Sequence, residues 1–415
     1  MRDSQKEGFE HPEWSKSANI YEVNLRQFTP EGTFKAFKGH VPRLKEMGVE
    51  ILWLMPIHPI GEKRRKGELG SPYAVKDYFA VNSNYGTLEE FKDLVHEIHS
   101  FDMKVIIDWV ANHTAWDHKW VKKHPEWYIR DEDGQLQHYV FKNDKKVEAW
   151  EDVIGLDYQQ PELRVEMINA LKYWVEEIDI DGYRCDVAGL VPTNFWEQAR
   201  KELEEIKDIF MLAEWEEPEL HDYAFDMTYD WNFHDLMVEI AQGEKDVLDL
   251  KKYVEEGDEF PKDAYRMEFT TNHDKNTWIA SDEEFFGEAF LAFSVLAATL
   301  KGMPLIYGGQ ESRLDKRLEF FYKDAIEWDD YQYADFYQRL LKLKKDNPAL
   351  WNGQYGAQAE VLSETNRDIF AFKREKDNNS VSVIINFSEQ EQIIKDSSNF
   401  AIERLAAWNY RIKVD

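Results

Sequence analysis

The stretch DGYRCDVAG, residues 181–189, places Arg184 and Asp186 in an otherwise apolar part of the chain. The run predicts a buried strand, and side chains on a strand alternate between its two faces. Arg184 and Asp186 therefore share one face, and Cys185 lies on the other. The pattern fits either a buried structural ion pair, the commoner meaning when taken alone, or a strand end at which a chemical site begins.

Acids and histidines also follow other apolar runs. They are Asp108, Asn112 and His113 of DWVANH, Glu214 of LAEW, and His273 and Asp274 of TTNHD. If these runs are strands of one α/β barrel, the polar residues converge at its mouth, because the carboxyl ends of barrel strands carry the active site. Such a set is difficult to ascribe to structure alone, so it favours a site.

Three converging carboxyl groups fit the cleavage of glycosidic bonds. A retaining glycosidase uses two carboxyl groups about 5–5.5 Å apart, one as nucleophile and one as acid and then base. We expect Arg184 to lower the pKa of Asp186 and keep it ionised. We expect Trp215 and neighbouring carboxylates to raise the pKa of Glu214. Asp274 would stabilise positive charge in the transition state or bind sugar hydroxyls.

Some residues near these motifs have structural interpretations. Asp108 lies deeper on its strand and is expected to pair with Arg184 or His273. Cys185 is expected to be a small buried hydrophobic residue. Asp77 is expected to brace a loop.

The elements that must position these residues alternate along the chain. Continuous apolar runs separated by amphipathic stretches, such as 87–102 and 162–178, predict parallel βαβ units. The candidate strands are 19–25, 50–57, 103–110, 180–187, 209–215, 223–229, 266–272 and 303–309. Eight strands indicate a (β/α)8 TIM barrel. A doubly wound open sheet is the alternative, but it usually has a Gly-rich first turn, which this sequence lacks.

Two segments depart from this alternation. Residues 114–152 are polar and rich in aromatics, and they are too long for an ordinary connection, so they predict a small inserted domain. DIFAFKRE and NSVSVIINFS alternate with period two on either side of KDNN, which predicts a C-terminal antiparallel β domain. We therefore divide the chain into a barrel (1–113 and 153–345), an insert (114–152) and a β domain (346–415).

Composition narrows the classes of partner and compartment. The chain has 415 residues and a formal net charge of −30, which argues against nucleic acid and anionic ligands and suits a neutral substrate. No apolar run reaches the ~18 residues of a membrane helix, so we expect no membrane contact. The start of the chain as given has no signal-peptide pattern, which leaves a cytoplasmic location or, after removal of a signal, a secreted or periplasmic one. One cysteine excludes an intrachain disulfide, and we expect a monomer.

The four motifs DWVANH, GYRCDV, AEW and NHD resemble, in type and order, the signature regions of the α-amylase family, glycoside hydrolase family 13. ILWLMPI resembles the family's second-strand region, and GMPLIYGGQE resembles the end of its eighth strand. SPYAVKDYFAVNSNYGT resembles a loop whose tyrosine stacks on the sugar beside the scissile bond, here Tyr73. The resemblance covers roughly residues 19–345, and the terminal β domain also fits the family.

The resemblance implies roles for the residues that match. Asp186 would be the nucleophile, Glu214 the acid and base, and Asp274 the transition-state stabiliser. Substrate-binding residues of the same subsite would be Tyr73, His113, Arg184 and His273. The implied reaction is retaining hydrolysis of internal α-1,4-glucosidic bonds in starch, glycogen or maltooligosaccharides, without an organic cofactor.

The sequence departs from the family pattern at two places. Gly189 and Leu190 stand where many family α-amylases have a Lys-His pair that contacts the leaving-group side. Gly155 stands where calcium-binding members have an aspartate, although Asn112 would match a calcium ligand. The resemblance thus offers Asn112 as a calcium ligand, whereas the missing carboxylate argues against the site, because calcium favours several hard oxygen ligands.

Other functions in and near the family stay open from sequence. An α-glucosidase, a cyclomaltodextrinase or an α-glucan transglycosylase would share the barrel and the three acids. A non-catalytic glucan-binding or transporter-associated relative would lack the need for Asp186, Glu214 and Asp274, all of which are present.

Overall fold

The computed structural model describes residues 10–143, 146–328, 330–362, 366–394, 400 and 404–415. Residues 1–9, on which the expectation about a signal peptide partly rests, lie outside this part. Parts of the predicted C-terminal β domain (363–365, 395–399 and 401–403) and two residues of the insert (144–145) also lie outside it. In the part that is described, no helix is both long and apolar enough to cross a membrane.

Eight parallel strands close into a barrel, in which each strand pairs with its neighbours in the sequence of strands and β8 pairs with β1. The strands are β1 Ile20–Val23, β2 Ile51–Leu54, β3 Lys104–Trp109, β4 Gly182–Cys185, β5 Phe210–Ala213, β6 Met227–Tyr229, β7 Tyr265–Glu268 and β8 Met303–Tyr307. Each lies within or beside one of the predicted runs, and the predicted (β/α)8 fold is confirmed.

Helices cover the outside of the barrel, and one short helix, Lys119–Lys123, lies in the insert after β3. They are α1 Leu25–Phe28, α2 Phe34–Lys38, α3 Val41–Met47, α4 Leu88–Ser100, α5 Lys119–Lys123, α6 Pro161–Ile178, α7 Thr193–Glu204, α8 Trp231–Ala241, α9 Val247–Glu256, α10 Asp282–Phe286, α11 Phe290–Thr299 and α12 Ala334–Asp346. Helix α4 shows why they form where they do: Thr87 and Glu90 make a capping box at its start, and its apolar face is buried.

The strands are apolar on both faces because both faces are buried. The inner face carries a cluster that includes Trp53, Ile106, Leu212 and Met267. The outer face packs against the helices in a second, larger cluster that includes Cys185. The expectation that Cys185 faces away from the mouth is therefore confirmed.

The insert after β3 contains two small antiparallel sheets. His113–Ala115 pairs with Val153–Gly155, and Tyr139–Lys142 pairs with Val147–Trp150. Asp77 accepts a hydrogen bond from the backbone N–H of Phe79 and forms an ion pair with Lys119, so it braces this region as expected.

A C-terminal antiparallel sheet has the strand order Ala359–Val361, Ile369–Lys376, Asn379–Asn386 and Tyr410–Val414. A second pair joins Gln392–Ile393 to Arg404–Leu405. The central hairpin turns at KDNN, where Asp377 adopts a left-handed conformation with φ +53°. The C-terminal β fold is confirmed, whereas the domain boundaries stay predictions.

Candidate active site

The carboxyl ends of β3, β4, β5 and β7 bring together the polar residues that the sequence indicated. Asp108 pairs in register with Arg184 across β3 and β4. Asp186 follows β4 directly, and Glu214 follows β5 directly. This placement results from the closed barrel, in which parallel strands end at the same rim.

Arg184 is the centre of the site and is fully buried. Its Nη1 donates to Asp108 Oδ1 and to Asp186 Oδ1, each at 2.9 Å. Its Nη2 lies 3.0 Å from Glu214 Oε1, and its Nε donates to the hydroxyl of Tyr229. One guanidinium thus contacts three carboxyl groups.

Burial and mutual repulsion raise the pKa of all three acids. Burial is the largest cause in each case and is opposed by Arg184: the pKa of Asp108 rises to about 6, that of Asp186 to about 7 and that of Glu214 to about 8. The expected raised pKa of Glu214 is confirmed. The expected net lowering at Asp186 is wrong, because burial, Asp108 and Asp274 together outweigh the attraction of Arg184.

A second chain of contacts fixes Tyr73 at the mouth. His273 Nδ1 lies 2.6 Å from Glu22 Oε1, and its Nε2 lies 2.7 Å from the Tyr73 hydroxyl. Burial lowers the pKa of His273, but Asp274 and Glu22 outweigh it and raise the pKa to about 9. A doubly protonated His273 donates to both partners, so the Tyr73 hydroxyl donates in turn to Asp108 Oδ2 at 3.1 Å.

Glu214 is held by the backbone of the β4 loop. The N–H of Val187 donates to Glu214 Oε2 at 2.7 Å. Val187 has φ +38°, a left-handed conformation that is strained for a β-branched residue. Such strain persists only where surrounding contacts impose it and is common at functional sites.

Asp274 is the most accessible of the three predicted catalytic acids. Its side chain is 36% exposed, whereas Asp186 is 10% and Glu214 is 13% exposed. Asp274 Oδ2 lies 3.5 Å from His273 Nε2. The site therefore has a closed floor, made by the two buried acids, and an open wall at Asp274.

His113 and Asn112 lie beside this network. Burial lowers the pKa of His113 to about 3, so the ring is neutral, and it hydrogen-bonds the backbone of Tyr73. The Asn112 amide lies 3.2 Å from His113 Nδ1 and hydrogen-bonds the Tyr139 side chain. His113 thus borders the predicted subsite through Tyr73, and Asn112 is one residue further out.

The surroundings of Asn112 do not fit a calcium cage. A Cβ on Gly155 would lie 2.8 Å from the Tyr139 ring, so an aromatic ring fills the space where an aspartate side chain would project. Within the described ranges, no group of three or more His, Cys, Asp or Glu residues could hold a metal ion. Calcium binding by Asn112 stays a prediction from sequence.

Packing explains the absence of a side chain at Gly189. A Cβ added there would lie 2.2 Å from the ring of Trp215, which follows Glu214. The indole occupies the space that a lysine at this position would need.

Three contributors to the site escaped the sequence reasoning. Glu22 anchors His273, Trp53 donates to Asp108 Oδ2 at 3.3 Å and faces the Arg184 guanidinium, and Tyr229 accepts from Arg184. Glu22 carried a usable signal, because it is a single acid within the apolar run IYEVNL. Tyr229 is fully buried, so its role is to hold Arg184 from within the barrel.

Comparison with known proteins agrees with the barrel fold. A family model described as "Alpha amylase, catalytic domain" matches residues 2–320. An alpha-amylase from Lactobacillus plantarum superposes with a TM-score of 0.84 at 30% identity, covering 97% of this chain and 99% of that one. A noncanonic maltogenic alpha-amylase from Thermotoga neapolitana gives a TM-score of 0.80 at 32% identity, covering 91% and 87%. Alpha-amylase 2 of Dictyoglomus thermophilum is 26% identical over 93% of this chain and 72% of its own length.

Proposed function

The chain belongs to the alpha-amylase family of glycoside hydrolases, and from that membership we propose that it hydrolyses internal α-1,4-glucosidic bonds of starch, glycogen or maltooligosaccharides with retention of configuration. The observation that carries the proposal is the contact of Arg184 with both Asp186 and Glu214, two acids at the ends of neighbouring strands whose pKa values are raised by burial. In the proposed reaction Asp186 is the ionised nucleophile and Glu214 the proton donor of this cluster.

In the first step, an ionised Asp186 oxygen attacks the anomeric carbon of the glucosyl unit. The glycosidic C–O bond breaks, and the proton of Glu214 passes to the departing oxygen. In the second step, Glu214 takes a proton from water, the water oxygen bonds to the anomeric carbon, and the bond to Asp186 breaks. Two inversions give net retention.

The other residues support these steps. Arg184 orients Asp186 through a charge-assisted hydrogen bond. Asp274, at the open wall, is placed to stabilise positive charge on the sugar in the transition state. Tyr73, whose hydroxyl is held by His273, would contact the sugar through its ring, as aromatic residues do in many sites that bind amphipathic ligands.

The test is the product profile of the wild-type enzyme on soluble starch, maltoheptaose and a cyclodextrin, followed over time. Early mixed oligosaccharides and a rapid fall in starch viscosity support the proposal. Glucose alone would indicate an α-glucosidase, preferential ring opening a cyclomaltodextrinase, and lengthened products a transglycosylase.

A matched pair of variants tests the assignment of Glu214. Glu214→Gln should lose at least ~10²-fold in kcat, since proton transfer is removed. Glu216→Gln changes a nearby acid that pairs with Arg266 rather than Arg184 and should retain turnover. Near-normal turnover of Glu214→Gln on starch would contradict the assignment.

A further inference from the structure

Aromatic rings continue outward from the catalytic centre beyond Tyr73. The Tyr73 ring stacks on His273 at a centroid distance of 5.6 Å, and on its other neighbour, Phe320, at 6.2 Å with the planes 4° apart. Phe320 in turn contacts Trp278 at 4.9 Å. Four rings thus form a continuous line from the buried site to the surface.

Trp278 ends this line in solvent. Its side chain is 52% exposed, although tryptophan is usually well buried. It lies on a π-helix, Lys275–Ile279, that starts directly after Asp274. Helices of this type are rare and occur frequently at functional sites. The exposed indole is therefore four residues from a proposed catalytic acid.

Buried polar contacts fix Trp278 and Phe320 relative to each other. Asn276, which is 1% exposed, donates to the carbonyl of Lys316 and accepts from the N–H of Leu318. Arg317 donates to the carbonyl of Ile279. These bonds tie the π-helix to the segment after β8 that carries Phe320.

The same segment is tied to the start of the barrel. Gln27 donates to the carbonyls of Glu319 and Tyr322, and Arg26 donates to the carbonyl of Phe320. The backbone on both sides of the Phe320 ring is therefore held before any ligand arrives, which reduces the entropy cost of binding.

We propose that Trp278 and Phe320 form an additional glucan-binding subsite that holds the glucosyl units next to the one at Tyr73 and sets a preference for longer chains. The inference rests on the proposed function. A pyranose ring has faces rich in C–H groups that pack on aromatic rings, and the line of rings is continuous with Tyr73. The ligand is a neutral α-glucan, which the acidic net charge does not repel.

The test compares kcat/KM for maltotriose and maltoheptaose in Trp278→Ala and Ile279→Ala. Ile279 is the matched control, because it is the next residue of the same π-helix and is 55% exposed. Trp278→Ala should lower kcat/KM for maltoheptaose about tenfold through KM and change that for maltotriose less than twofold. Ile279→Ala should change neither, and Trp278→Phe should recover part of the loss. Melting temperatures show that all variants fold.

Equal effects of Trp278→Ala on the two substrates, or equal effects of the tryptophan and isoleucine variants, would overturn the subsite. If the wild type cleaves no α-1,4-glucan, the proposed function fails instead. In that case titration with maltoheptaose, followed by calorimetry, decides: weaker binding by Trp278→Ala than by wild type supports the subsite, and equal binding or none refutes it.

Discussion

Two buried arginines, Arg184 and Arg200, hold aspartates at opposite ends of the same barrel. Arg184 lies at the carboxyl ends of the strands with Asp108, Asp186 and Glu214. Arg200, on α7, pairs with Asp226 at the start of β6. In the sequence, Arg184 and Asp186 share one apolar run, whereas Arg200 lies in the charged stretch EQARKELEE and Asp226 lies in the separate run YAFDMTY.

The cluster of Arg200, Asp226 and His11 is called the lower cluster, and in it the charge of the buried acid is matched by its partners. Asp226 Oδ1 lies 2.8 Å from His11 Nδ1, and Asp226 Oδ2 accepts from both Arg200 and the N–H of Met211. Burial raises the pKa of Asp226, but Arg200 and His11 outweigh it and hold the pKa below its usual value. The acid is ionised and its oxygens are fully used, as expected of a structural ion pair.

The upper cluster, which consists of Arg184, Asp108, Asp186 and Glu214, has more acids than cations. Three acids share one guanidinium, and the pKa of each is raised. Protons are therefore retained near neutral pH and can be moved during a reaction. Both clusters are buried and both contain an ion pair, so the ratio of acids to cations is what distinguishes the proposed catalytic cluster from the structural one.

The largest expected effect is that of Asp186→Asn on activity. The amide cannot form the glycosyl-enzyme bond, so kcat on maltoheptaose should fall by at least ~10³-fold. Because the change removes one acid from a crowded group, the free energy of unfolding at pH 8 should be equal to or above that of wild type. Urea unfolding and initial rates measure the two quantities. A strong loss of stability would mean that the upper cluster is structural.

The converse is expected of Asp226→Asn in the lower cluster. Removing one partner of a buried ion pair typically costs about 3–5 kcal/mol, since the other charge stays buried and uncompensated. Turnover per folded molecule should be unchanged. Glu204→Gln is the matched control: it removes the part-exposed partner of Arg200 and should cost less than ~1 kcal/mol. If the two variants were equally stable, the distinction between the clusters would fail.

The two clusters should also respond oppositely to pH. A carboxyl group with a raised folded pKa stabilises the fold below its unfolded pKa near 4, and this contribution is lost as the pH rises through the folded value. Stability from Asp186 and Glu214 should thus fall as pH rises toward about 7 and 8. An acid outside both clusters shows the response expected of a structural pair: Asp181, just before β4, pairs with Lys104 and Lys207. Its pKa is lowered to about 2 despite burial, so it contributes above pH 4 and loses its contribution in acid.

Urea unfolding between pH 5 and pH 9 tests this response. Glu214→Gln should make the free energy of unfolding decline less steeply as the pH rises. The variant lacks a carboxyl group whose pKa is higher in the folded than in the unfolded state. Asp181→Asn should leave that decline in place and lower the free energy of unfolding by a similar amount at every pH in this range, since Asp181 is ionised throughout it. Identical curves for wild type and Glu214→Gln would contradict the raised pKa of Glu214.

The barrel could be predicted because its strands are buried on both faces. The run 103–110, for example, contains β3 Lys104–Trp109. The ends of such apolar runs also indicate which polar residues lie at the ends of the strands. The run 223–229 shows the limit, since only Met227–Tyr229 is strand. Asp226, just before this strand, pairs with Arg200 in the lower cluster. No local pattern in the sequence indicates that the strand begins only after Asp226.

Contacts around the barrel and their electrostatic balance could not be predicted. Tyr73 meets His273 across 200 residues of chain, and Glu22 meets His273 because closure brings β1 beside the end of β7. The sign of the shift at Asp186 depends on burial and on all its charged neighbours, whereas the sequence indicated only the nearby Arg184.

The smallest effect is expected where the upper end contains a balanced pair. Glu22 faces one cation, His273, whose pKa is raised to about 9, so this contact resembles the lower cluster although it lies at the active site. Glu22→Gln should lower the pKa of His273, loosen Tyr73 and reduce kcat/KM about tenfold, or ~1.4 kcal/mol. The raised histidine pKa stabilises the fold fully below about 6.5 and ceases to do so as the pH passes 9. The variant should therefore be less stable than wild type at pH 6 and approach it above pH 9, as urea unfolding at the two pH values would show. If the variant instead lost more stability relative to wild type as the pH rose, Glu22 would resemble the acids of the upper cluster. Position in the barrel, rather than the ratio of acids to cations, would then determine how each acid affects stability.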